Sequence, residues 1–551
     1  MPVITLERDR FCTFTARKSS VEEMAEWLPW LGVDIEEVGS DYVKIEFNPN
    51  RVDLCSHAGV ARAFCGLMEW KTGLPDYAVQ EGTAVLNIDS LVSGVRPYML
   101  GAIVRGMRLD DESVRELMEM QEDLHWGIGR DRRKASIGVH GLDSVQPPFT
   151  YTTADPDAVR FVPLDKREEM SLREILNSHE KGIAYRHLLE GASRYPLLVD
   201  SQKRVLSMPP IINGELTRVG DRTRNLFIDV TGTDYNAVTR SLNVLVTALA
   251  DMGGTLESIR VKYPDRIVVS PDLKPQKMEL KVGYANRLLG LRLSEGEAAK
   301  SLRKCRLDAR RVSDGILDVA IPAYRIDVLH EVDLVEEVAI GYGYYRLKPT
   351  KPATVTTGQQ HRASGTAKKA RQIMIGLGFT EAMNFILTNE ANHYEKMRRK
   401  AGKALSIANP VSAEYSILRE DVLPSLMTNL TDNRHESYPQ RIFEVSDVIR
   451  GKAEAETRSE RRLHVAAVSS HPTANFTEMK SFVEALLANL GLTKWTVRSA
   501  RHPSFLQGRV AAIYVKSRRI GVVGEVHPEV LNNFELENPT SAFELSLEEM
   551  L

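Results

Sequence analysis

Cysteine is scarce in this chain, with four residues in 551 and neither a CxxC pair nor zinc-like spacing. Cys12, Cys55, Cys65 and Cys305 therefore exclude a disulfide framework and fit a reducing compartment. Long apolar runs are missing too, because the most apolar helical stretch, residues 242–250, is too short to cross a bilayer. The first residues, MPVITLERDRF, lack the basic-then-apolar pattern of a signal peptide. We expect a cytoplasmic protein without membrane contact.

Neither sign of charge dominates, since 72 Lys and Arg stand against 74 Asp and Glu. The net charge of -2 excludes a global field that would attract nucleic acid or an anionic membrane. Repeats of 20–50 residues and low-complexity segments are also missing. What remains is a globular composition, 43% hydrophobic and 26% charged, with a length that predicts roughly three to four domains.

Shifts in composition predict a multidomain α/β and α+β fold. Near the N-terminus, Ser20 and Glu23 form a capping box, and YVKIEF alternates apolar and charged residues as a half-buried strand does. Short β-branched runs with dense turns follow, then a compact helical stretch and a mixed α/β region. The predicted domains are an N-terminal α/β module, a β-rich domain, a small helical domain and a C-terminal domain, at residues 1–85, 86–262, 275–350 and 358–551.

Acidic residues cluster in IPAYRIDVLHEVDLVEEVAIGYGY. Asp333, Glu336 and Glu337 stand at i, i+3 and i+4, on one helical face, and Asp327 lies six residues before Asp333. Like charges at this spacing repel one another, so a cation would stabilise the arrangement. Clustered carboxylate oxygens are ligands for Mg²⁺ rather than Zn²⁺. An acidic first turn favoured by the helix dipole gives the same pattern.

Polar residues also cluster where a core would be apolar. Asp229 and Thr231 close the strand NLFID, and the period of two places them on one side. Ser207, Asn213 and Glu215 flank the proline-containing stretch VLSMPPIIN. Together these five residues predict a binding pocket. Plain turn chemistry explains them equally well, because Asp and Thr bond their own backbone.

Other polar features favour structural roles. His125 and His140 are isolated histidines, and no Ser/His/Asp triad spacing accompanies them. Basic clusters at residues 130–134, 396–403 and 516–519 could contact phosphates, although short charged runs are usually solvated faces. The first cluster borders the predicted pocket and is the best candidate for contact with an RNA end.

The acidic element RIDVLHEVDLVEEVAIGYGY closely resembles the end of the small helical module in phenylalanyl-tRNA synthetase β subunits. Three other regions resemble the same family in the same order: FNPNRVDLCSHAGVARAFCG, LHWGIGRDRRKASIGVHGLD with NLFIDVTGTD, and IANPVSAEYSILREDVLPSLM with RIFEVSDVI. The length matches the shorter archaeal and eukaryotic type. The family belongs to the class II aminoacyl-tRNA synthetases.

The resemblance implies a cofactor and site residues. The four carboxylates would bind a Mg²⁺ shared with an α subunit, and the polar cluster would be the pocket of a β-rich editing domain. The small domain would be winged-helix-like, and the C-terminal domain would be a degenerate class II core with an antiparallel sheet. Arg441 stands one residue too early for the phosphate-binding F-R-x-E strand of active class II domains, and no Arg follows Gly521 and Gly524 in the later Gly-rich strand.

The implied function is that of a phenylalanine-tRNA ligase subunit. With the α subunit, in an (αβ)₂ tetramer, it would attach phenylalanine to tRNA(Phe), and α would bind the ATP and phenylalanine. Its own chemistry would be hydrolysis of mischarged Tyr-tRNA. The alternatives are a stand-alone trans-editing hydrolase and a non-catalytic RNA-binding scaffold. The long C-terminal domain argues against the first, and the polar cluster argues against the second.

Overall fold

The computed structural model describes residues 2–354 and 356–548. Met1 of the predicted first domain and the last three residues of the predicted C-terminal domain lie outside this range, as does Val355. The chain divides into two compact units, Met1–Thr350 and Lys351–Leu551. Both are mixed α/β with several sheets, in agreement with the predicted fold class at that level. Within the described residues, no helix is long and apolar enough to cross a membrane.

The first unit begins with a three-stranded antiparallel sheet of order β1-β3-β2. The side chain of Ser20 accepts a hydrogen bond from Glu23 N at 3.2 Å, which starts the helix where the capping box predicts. Val43 and Ile45 point into the core, as the alternation predicts. The elements are β1 (Val3–Glu7), α1 (Arg8–Thr15), α2 (Val21–Trp27), β2 (Asp34–Val38), β3 (Tyr42–Glu46) and α3 (His57–Leu67).

Three sheets follow, one of seven strands, one of five and one of two. Their elements are β4 (Val79–Gln80), β5 (Val85–Ile88), β6 (Tyr98–Arg105), α4 (Asp111–Trp126), β7 (Ala135–Gly141), β8 (Phe149–Ala154), β9 (Arg160–Phe161), β10 (Met170–Ser171), α5 (Leu172–Ser178), α6 (Glu180–Tyr185), β11 (Tyr195–Val199), β12 (Val205–Met208), β13 (Ile212–Asn213), β14 (Leu226–Gly232), α7 (Tyr235–Asp251), β15 (Thr255–Glu257), β16 (Ile259–Lys262) and β17 (Ile267–Ser270).

The two larger sheets have the strand orders β13-β12-β11-β8-β5-β16-β17 and β4-β15-β6-β14-β7, and β9 pairs with β10 in the third. Phe149 of the larger sheet stacks on Phe227 of the smaller one, with ring centroids 4.2 Å apart. Every residue of β14 is buried, because both faces of the smaller sheet are covered. Polar side chains on β14 therefore lie inside the protein and need partners there.

The last part of the first unit packs helices on a three-stranded antiparallel sheet of order β18-β20-β19. The predicted small helical domain thus also contains strands. Leu280, Leu317 and Leu334 are in its core. Its elements are β18 (Gln276–Lys281), α8 (Val282–Leu289), α9 (Glu295–Lys304), β19 (Asp308–Ser313), β20 (Ile316–Ile321) and α10 (Glu331–Tyr342).

The second unit is built on a seven-stranded sheet of order β21-β24-β25-β29-β28-β27-β26. All neighbours are antiparallel except β21 and β24. Alternate residues of β25 enter two cores, one on each face of the sheet. The elements are α11 (Arg362–Gly376), β21 (Thr380–Glu381), β22 (Leu387–Thr388), β23 (Ile417–Leu418), α12 (Leu423–Asp432), β24 (Gln440–Gly451), β25 (Ser459–Ser470), α13 (Phe476–Asn489), β26 (Trp495–Ser499), β27 (Phe505–Val515), β28 (Arg518–Val526), α14 (Pro528–Asn533) and β29 (Thr540–Ser546).

Candidate functional site

A cavity of about 450 Å³ opens beside the five-stranded sheet of the first unit. Helix α4, strands β7 and β14 and the segment from Ser207 to Val219 form its walls. Four of the five predicted pocket residues line it: Ser207, Asn213, Asp229 and Thr231. A cavity of this volume is in the range of small-molecule sites.

Glu215 is the fifth predicted residue, and it is not among the residues that line the cavity. Its carboxylate accepts hydrogen bonds from Arg218 Nε at 2.7 Å and from Asp165 N at 3.1 Å. The hydrogen bond from Arg218 is the main cause that lowers the pKa of Glu215. The side chain is therefore engaged in a surface turn.

Asp229 and Thr231 face the cavity from the same side of β14, as the strand period predicts, and Val230 between them is in the hydrophobic core. The sequence places Asp229 at a strand end, but the strand continues to Gly232. Asp229 is therefore paired on both sides, with Gly101 of β6 and Gly138 of β7. Its carboxylate is held by a rigid sheet and is only 1% exposed.

Gly138 makes room for this carboxylate. A Cβ at position 138 would lie 2.0 Å from Asp229 Oδ2 and 2.8 Å from His140 Nε2, which no side chain tolerates. His140 Nε2 lies 3.2 Å from Asp229 Oδ2, and its Nδ1 lies 2.8 Å from Thr217 Oγ1. With Nε2 protonated, His140 donates to Asp229 and fixes one carboxylate oxygen. His140 thus positions the carboxylate of Asp229.

Ser207 and Asn213 face each other across the β12–β13 hairpin. Asn213 Nδ2 donates to Val139 O at 3.3 Å, which ties the hairpin to β7. Ser207 is buried, and its Oγ has no hydrogen-bond partner among the described residues. A buried hydroxyl without a partner at a cavity wall indicates a place for a polar ligand atom.

A buried arginine supports Thr231 from behind. Arg96 donates from Nε to Thr231 Oγ1 at 3.0 Å and from Nη2 to Thr231 O at 2.8 Å. Burial, with a further effect of the charge on Arg132, lowers the pKa of Arg96 to about 10. The guanidinium group stays charged at neutral pH and fixes the end of β14.

His125 lines the cavity, although the sequence analysis assigns it a structural role. Its Nε2 accepts a hydrogen bond from Ile137 N at 2.8 Å, so the proton of the neutral ring is on Nδ1. Burial is the main cause that lowers its pKa to about 4. Nδ1 has no hydrogen-bond partner within 3.5 Å among the described residues, and the carboxylate of Glu122 lies 3.7 Å from it. His125 therefore offers the cavity an N–H donor and cannot serve as a base through Nε2.

The basic cluster at residues 130–134 does not form a uniform solvated face. Arg130, Asp131 and Arg132 all have left-handed backbone, with φ of +50°, +52° and +63°. Such a conformation costs roughly 1–2 kcal/mol per residue. It turns the Arg132 side chain inward, where it donates to Pro210 O and Ile211 O at 3.2 and 3.0 Å. Arg132 is therefore part of the cavity wall, a position that a short basic run does not predict.

The predicted acidic group is arranged around a buried arginine. Arg325 donates to both oxygens of Asp327, at 2.9 and 2.7 Å, and to both oxygens of Glu337, at 2.9 and 2.6 Å. Burial alone would lower the pKa of Arg325, but the charges of Glu337 and Asp327 raise it. Two of the four predicted carboxylates are thus neutralised within the chain.

Asp333 and Glu336, unlike Asp327 and Glu337, are not bound by Arg325. Asp333 Oδ2 accepts from Leu329 N and His330 N, both at 2.7 Å, and so caps α10. Glu336 is exposed, and no described residue forms a hydrogen bond or ion pair with it. Its carboxylate is still partly shielded from solvent, and this shielding, followed by the negative charges of Glu337, Asp327 and Asp333, raises the pKa of Glu336. This carboxylate is the one for which a cation would relieve repulsion.

Tight groups of metal-ligand atoms occur elsewhere among the described residues. Glu7, His57 and Glu112 form one such group, and Asp421, His464 and Glu544 form another, each with ligand atoms within 4.8 Å of one another. The ligand atoms of the predicted acidic group are not among those that lie this close together. Its oxygens would need a bridging cation, or ligands from another chain, to act together.

Comparison with known proteins gives a consistent result. The family model "Phenylalanyl tRNA synthetase beta chain CLM domain" matches residues 347–547, and "tRNA synthetase B5 domain" matches residues 278–344. A phenylalanine–tRNA ligase beta subunit of Methanothrix thermoacetophila is 46% identical over 96% of this chain and 97% of the relative. That of Archaeoglobus fulgidus is 46% identical over 99% and 98%. A crystal structure of an N-terminal fragment of the Pyrococcus horikoshii phenylalanyl-tRNA synthetase β-subunit covers 62% of this chain and 99% of that chain, with 39% identity and a TM-score of 0.60.

Proposed function

Because the chain belongs to the phenylalanine–tRNA ligase beta-subunit family, we propose that it joins an α subunit that binds ATP and phenylalanine and charges tRNA(Phe). The proposed assembly is the (αβ)₂ tetramer. The chain itself would be organised as four domains at residues 1–85, 86–262, 275–350 and 358–551. The second of these would be the editing domain.

The proposed editing site is the 450 Å³ cavity, and the buried carboxylate of Asp229 is the observation that supports it most. One oxygen of this carboxylate is held by His140, so the other remains for a ligand. Tyrosine differs from phenylalanine by one phenolic hydroxyl. A hydrophobic pocket rejects an added hydroxyl by only about 10²-fold, whereas a site that hydrogen-bonds a hydroxyl discriminates by about 10⁴–10⁵. A second, polar site therefore removes the tyrosine that the charging site admits.

The chemistry is hydrolysis of an ester. Water adds to the carbonyl carbon of tyrosine, the bond to the terminal ribose oxygen breaks, and free tyrosine and tRNA result. The phenol would donate to Asp229, and Ser207 Oγ, Asn213 and His125 Nδ1–H would orient the remaining polar atoms of the substrate. Because the acceptor nitrogen of His125 is engaged by the backbone, deprotonation of the water would rely on a ribose hydroxyl of the tRNA or on a second water.

The purified chain alone is expected to give no phenylalanine-dependent exchange of pyrophosphate into ATP. The reason is the position of Arg441, which pairs with Glu478 at 2.8 Å and packs over Phe482. Arg441 and Glu444 are separated by three positions on β24, so they face opposite sides of the sheet. The measurement is exchange of labelled pyrophosphate by the full-length chain, with and without the α subunit.

The αβ complex is the positive control, since it should exchange and charge normally. Exchange by the full-length chain, shown free of α by mass spectrometry, would contradict the proposed division of labour. If the chain hydrolyses Tyr-tRNA alone and no α co-purifies, a stand-alone hydrolase is the better description.

The proposed cofactor is a Mg²⁺ at the α interface, held by Glu336 together with Asp333, Asp327 and Glu337. The donors are hard oxygens. Burial first, and then the negative charges of the neighbouring carboxylates, raise the pKa of Glu336, and a cation would offset those charges. When bound, the ion would supply positive charge that joins the two subunits. Arg325 would orient two of the ligands from behind.

Glu336→Gln is expected to raise the Mg²⁺ concentration needed for half-maximal αβ assembly by about tenfold or more, since even indirect partners of metal ligands contribute 10–100-fold. This single variant is cleaner than one that includes Glu337, because Glu337 also neutralises Arg325. The measurement is assembly by analytical ultracentrifugation across a Mg²⁺ titration, with charging activity beside it.

Glu331→Gln is the matched control. Glu331 lies on the same helix, and its Oε1 accepts from Lys281 N at 2.7 Å, which a glutamine can still do. An identical Mg²⁺ requirement for Glu336→Gln, Glu331→Gln and the parent would mean that the acidic residues only form a helix N-terminus.

A further inference from the structure

The second unit contains a cavity that the proposed editing and charging reactions do not use. It has a volume of about 330 Å³ and lies against the central strands of the seven-stranded sheet. His464 of β25 and Ser546 of β29 are directly paired, and Glu544 lies two residues from Ser546 on the same face. These side chains form the floor. Residues from before α12 and from the start of β27 complete the walls.

The lining is strongly basic. Four arginines, Arg399, Arg450, Arg462 and Arg519, stand against two carboxylates, Asp421 and Glu544. Glu460, which lies outside the lining, also pairs with Arg462 at 3.0 Å, so with neutral histidines the formal excess is one positive charge. We call this site the arginine cavity.

Two of the three basic clusters in the sequence converge here. Residues 396–403 contribute Arg399, and residues 516–519 contribute Arg519. The sequence pattern favours solvated faces for both clusters. The fold instead brings one arginine from each to the same cavity, although the clusters are far apart in the chain.

The two carboxylates are already engaged. Asp421 accepts from Arg399 at 2.6 Å and from Arg450 at 3.3 Å. Glu544 accepts from the backbone amides of Val422 and Leu423, each at 2.9 Å. His464 Nδ1 is also 2.7 Å from Glu544. Neither carboxylate is left to neutralise Arg519.

A polar group without a partner also faces the cavity. Ser546 is 7% exposed, and its Oγ has no hydrogen-bond partner among the described residues. At the wall, burial and the charges of Arg399 and Arg519 lower the pKa of His502 to about 4. The imidazole is neutral at pH 7, so the positive charge of the cavity comes from guanidinium groups.

A metal ion is the less favourable occupant, even though Asp421, His464 and Glu544 offer ligand atoms within 4.8 Å of one another. A dication would enter a cavity that already has excess positive charge, and Coulomb repulsion opposes this. It would also have to displace the arginines and amides that hold the two carboxylates. An anion meets neither obstacle.

We propose that the arginine cavity binds a small molecule that bears phosphate groups. Guanidinium groups pair with phosphate oxygens through two parallel hydrogen bonds, and Ser546 Oγ donates one more. The volume accommodates inorganic pyrophosphate or a nucleoside monophosphate. Binding here is distinct from the charging chemistry assigned to the α subunit, and it needs no reaction.

The test is equilibrium dialysis of the αβ complex against labelled phosphate, pyrophosphate and AMP in turn. The parent should bind one more pyrophosphate or AMP per β chain than Arg450→Gln/Arg519→Gln. Arg519→Gln alone should weaken this extra site by about tenfold or more, because a hydrogen bond to a charged group contributes at least that much. The preferred ligand identifies whether the natural one is a nucleotide or an inorganic phosphate.

Arg518→Gln is the matched control, since it removes the same charge at the neighbouring exposed position and Arg518 does not line the cavity. It should bind like the parent. Equal weakening by Arg518→Gln and Arg519→Gln would overturn the proposal, because only surface charge would then be involved. Equal stoichiometry in the parent and the double variant would overturn it too. So would a site that binds Mg²⁺ or Zn²⁺ alone and is lost in His464→Gln.

Discussion

The Asp229→Ala variant of the αβ complex is expected to hydrolyse Tyr-tRNA about 100-fold more slowly than the parent, with phenylalanine charging unchanged. Asp229 is the buried acceptor proposed for the tyrosine phenol. Loss of a hydrogen bond to a charged group costs about 1.5–3 kcal/mol, which corresponds to roughly 10- to 150-fold in rate. The measurement is deacylation of pre-formed Tyr-tRNA, with ordinary charging assayed beside it.

Asp234→Ala is the matched control for this experiment. Asp234 lies five residues further along and caps α7, but it does not line the cavity. It should leave hydrolysis near the parent rate. If Asp229→Ala slows both hydrolysis and charging equally, Asp229 has a folding role. If it slows neither, the phenol binds elsewhere, and Ser207→Ala becomes the next variant to assay.

The Arg325→Met variant is expected to lose about 3–5 kcal/mol of stability, because Asp327 and Glu337 would remain as a buried, uncompensated pair of charges. Arg325 is 1% exposed and holds both carboxylates with two hydrogen bonds each. The melting temperature of the first unit should fall by roughly 5–10 °C. The measurement is calorimetry of the full-length chain in EDTA, which removes any compensating Mg²⁺.

Arg311→Met is the matched control, because it removes the arginine of an exposed ion pair in the same three-stranded sheet region. Arg311 is 60% exposed and pairs with Asp314, so its loss should cost less than about 1 kcal/mol. Adding Asp327→Asn and Glu337→Gln to Arg325→Met should restore part of the lost stability. Equal melting temperatures for Arg325→Met and Arg311→Met would show that the buried pair is not a stabilising element.

The cavity beside β14 shows which features of a site can be predicted from local sequence patterns. Asp229 and Thr231 could be assigned to one face, because strand alternation is a local property. His125, Gly138 and Arg132 could not be assigned to the same cavity. His125 is in the last turn of α4, and Gly138 is on the neighbouring strand β7. Arg132 reaches the cavity through a left-handed turn that the residue types at 130–132 do not predict.

The acidic group shows that sequence spacing predicts where charged residues lie but not which charges pair with one another. The spacing of Asp333, Glu336 and Glu337 in the sequence was sufficient to predict a shared helical region, and α10 contains all three. It was not sufficient to predict which charges are free. Arg325 stands two residues before Asp327, yet only the packing shows that its guanidinium group takes both Asp327 and Glu337.

By itself, the sequence determined the family, the order of the regions, the capping of α2 and the faces of the strands. The family and the order of the regions follow from motifs that resemble those of known relatives. The capping of α2 and the faces of the strands follow from local patterns, with periodicities of two and 3.6 residues, which act within a few positions. The tertiary structure alone decided which polar groups are buried and paired, from Gly138 beside Asp229 to the meeting of Arg399 and Arg519. The reason is physical: burial and Coulomb interactions depend on distance in space, and contacts between remote segments set that distance.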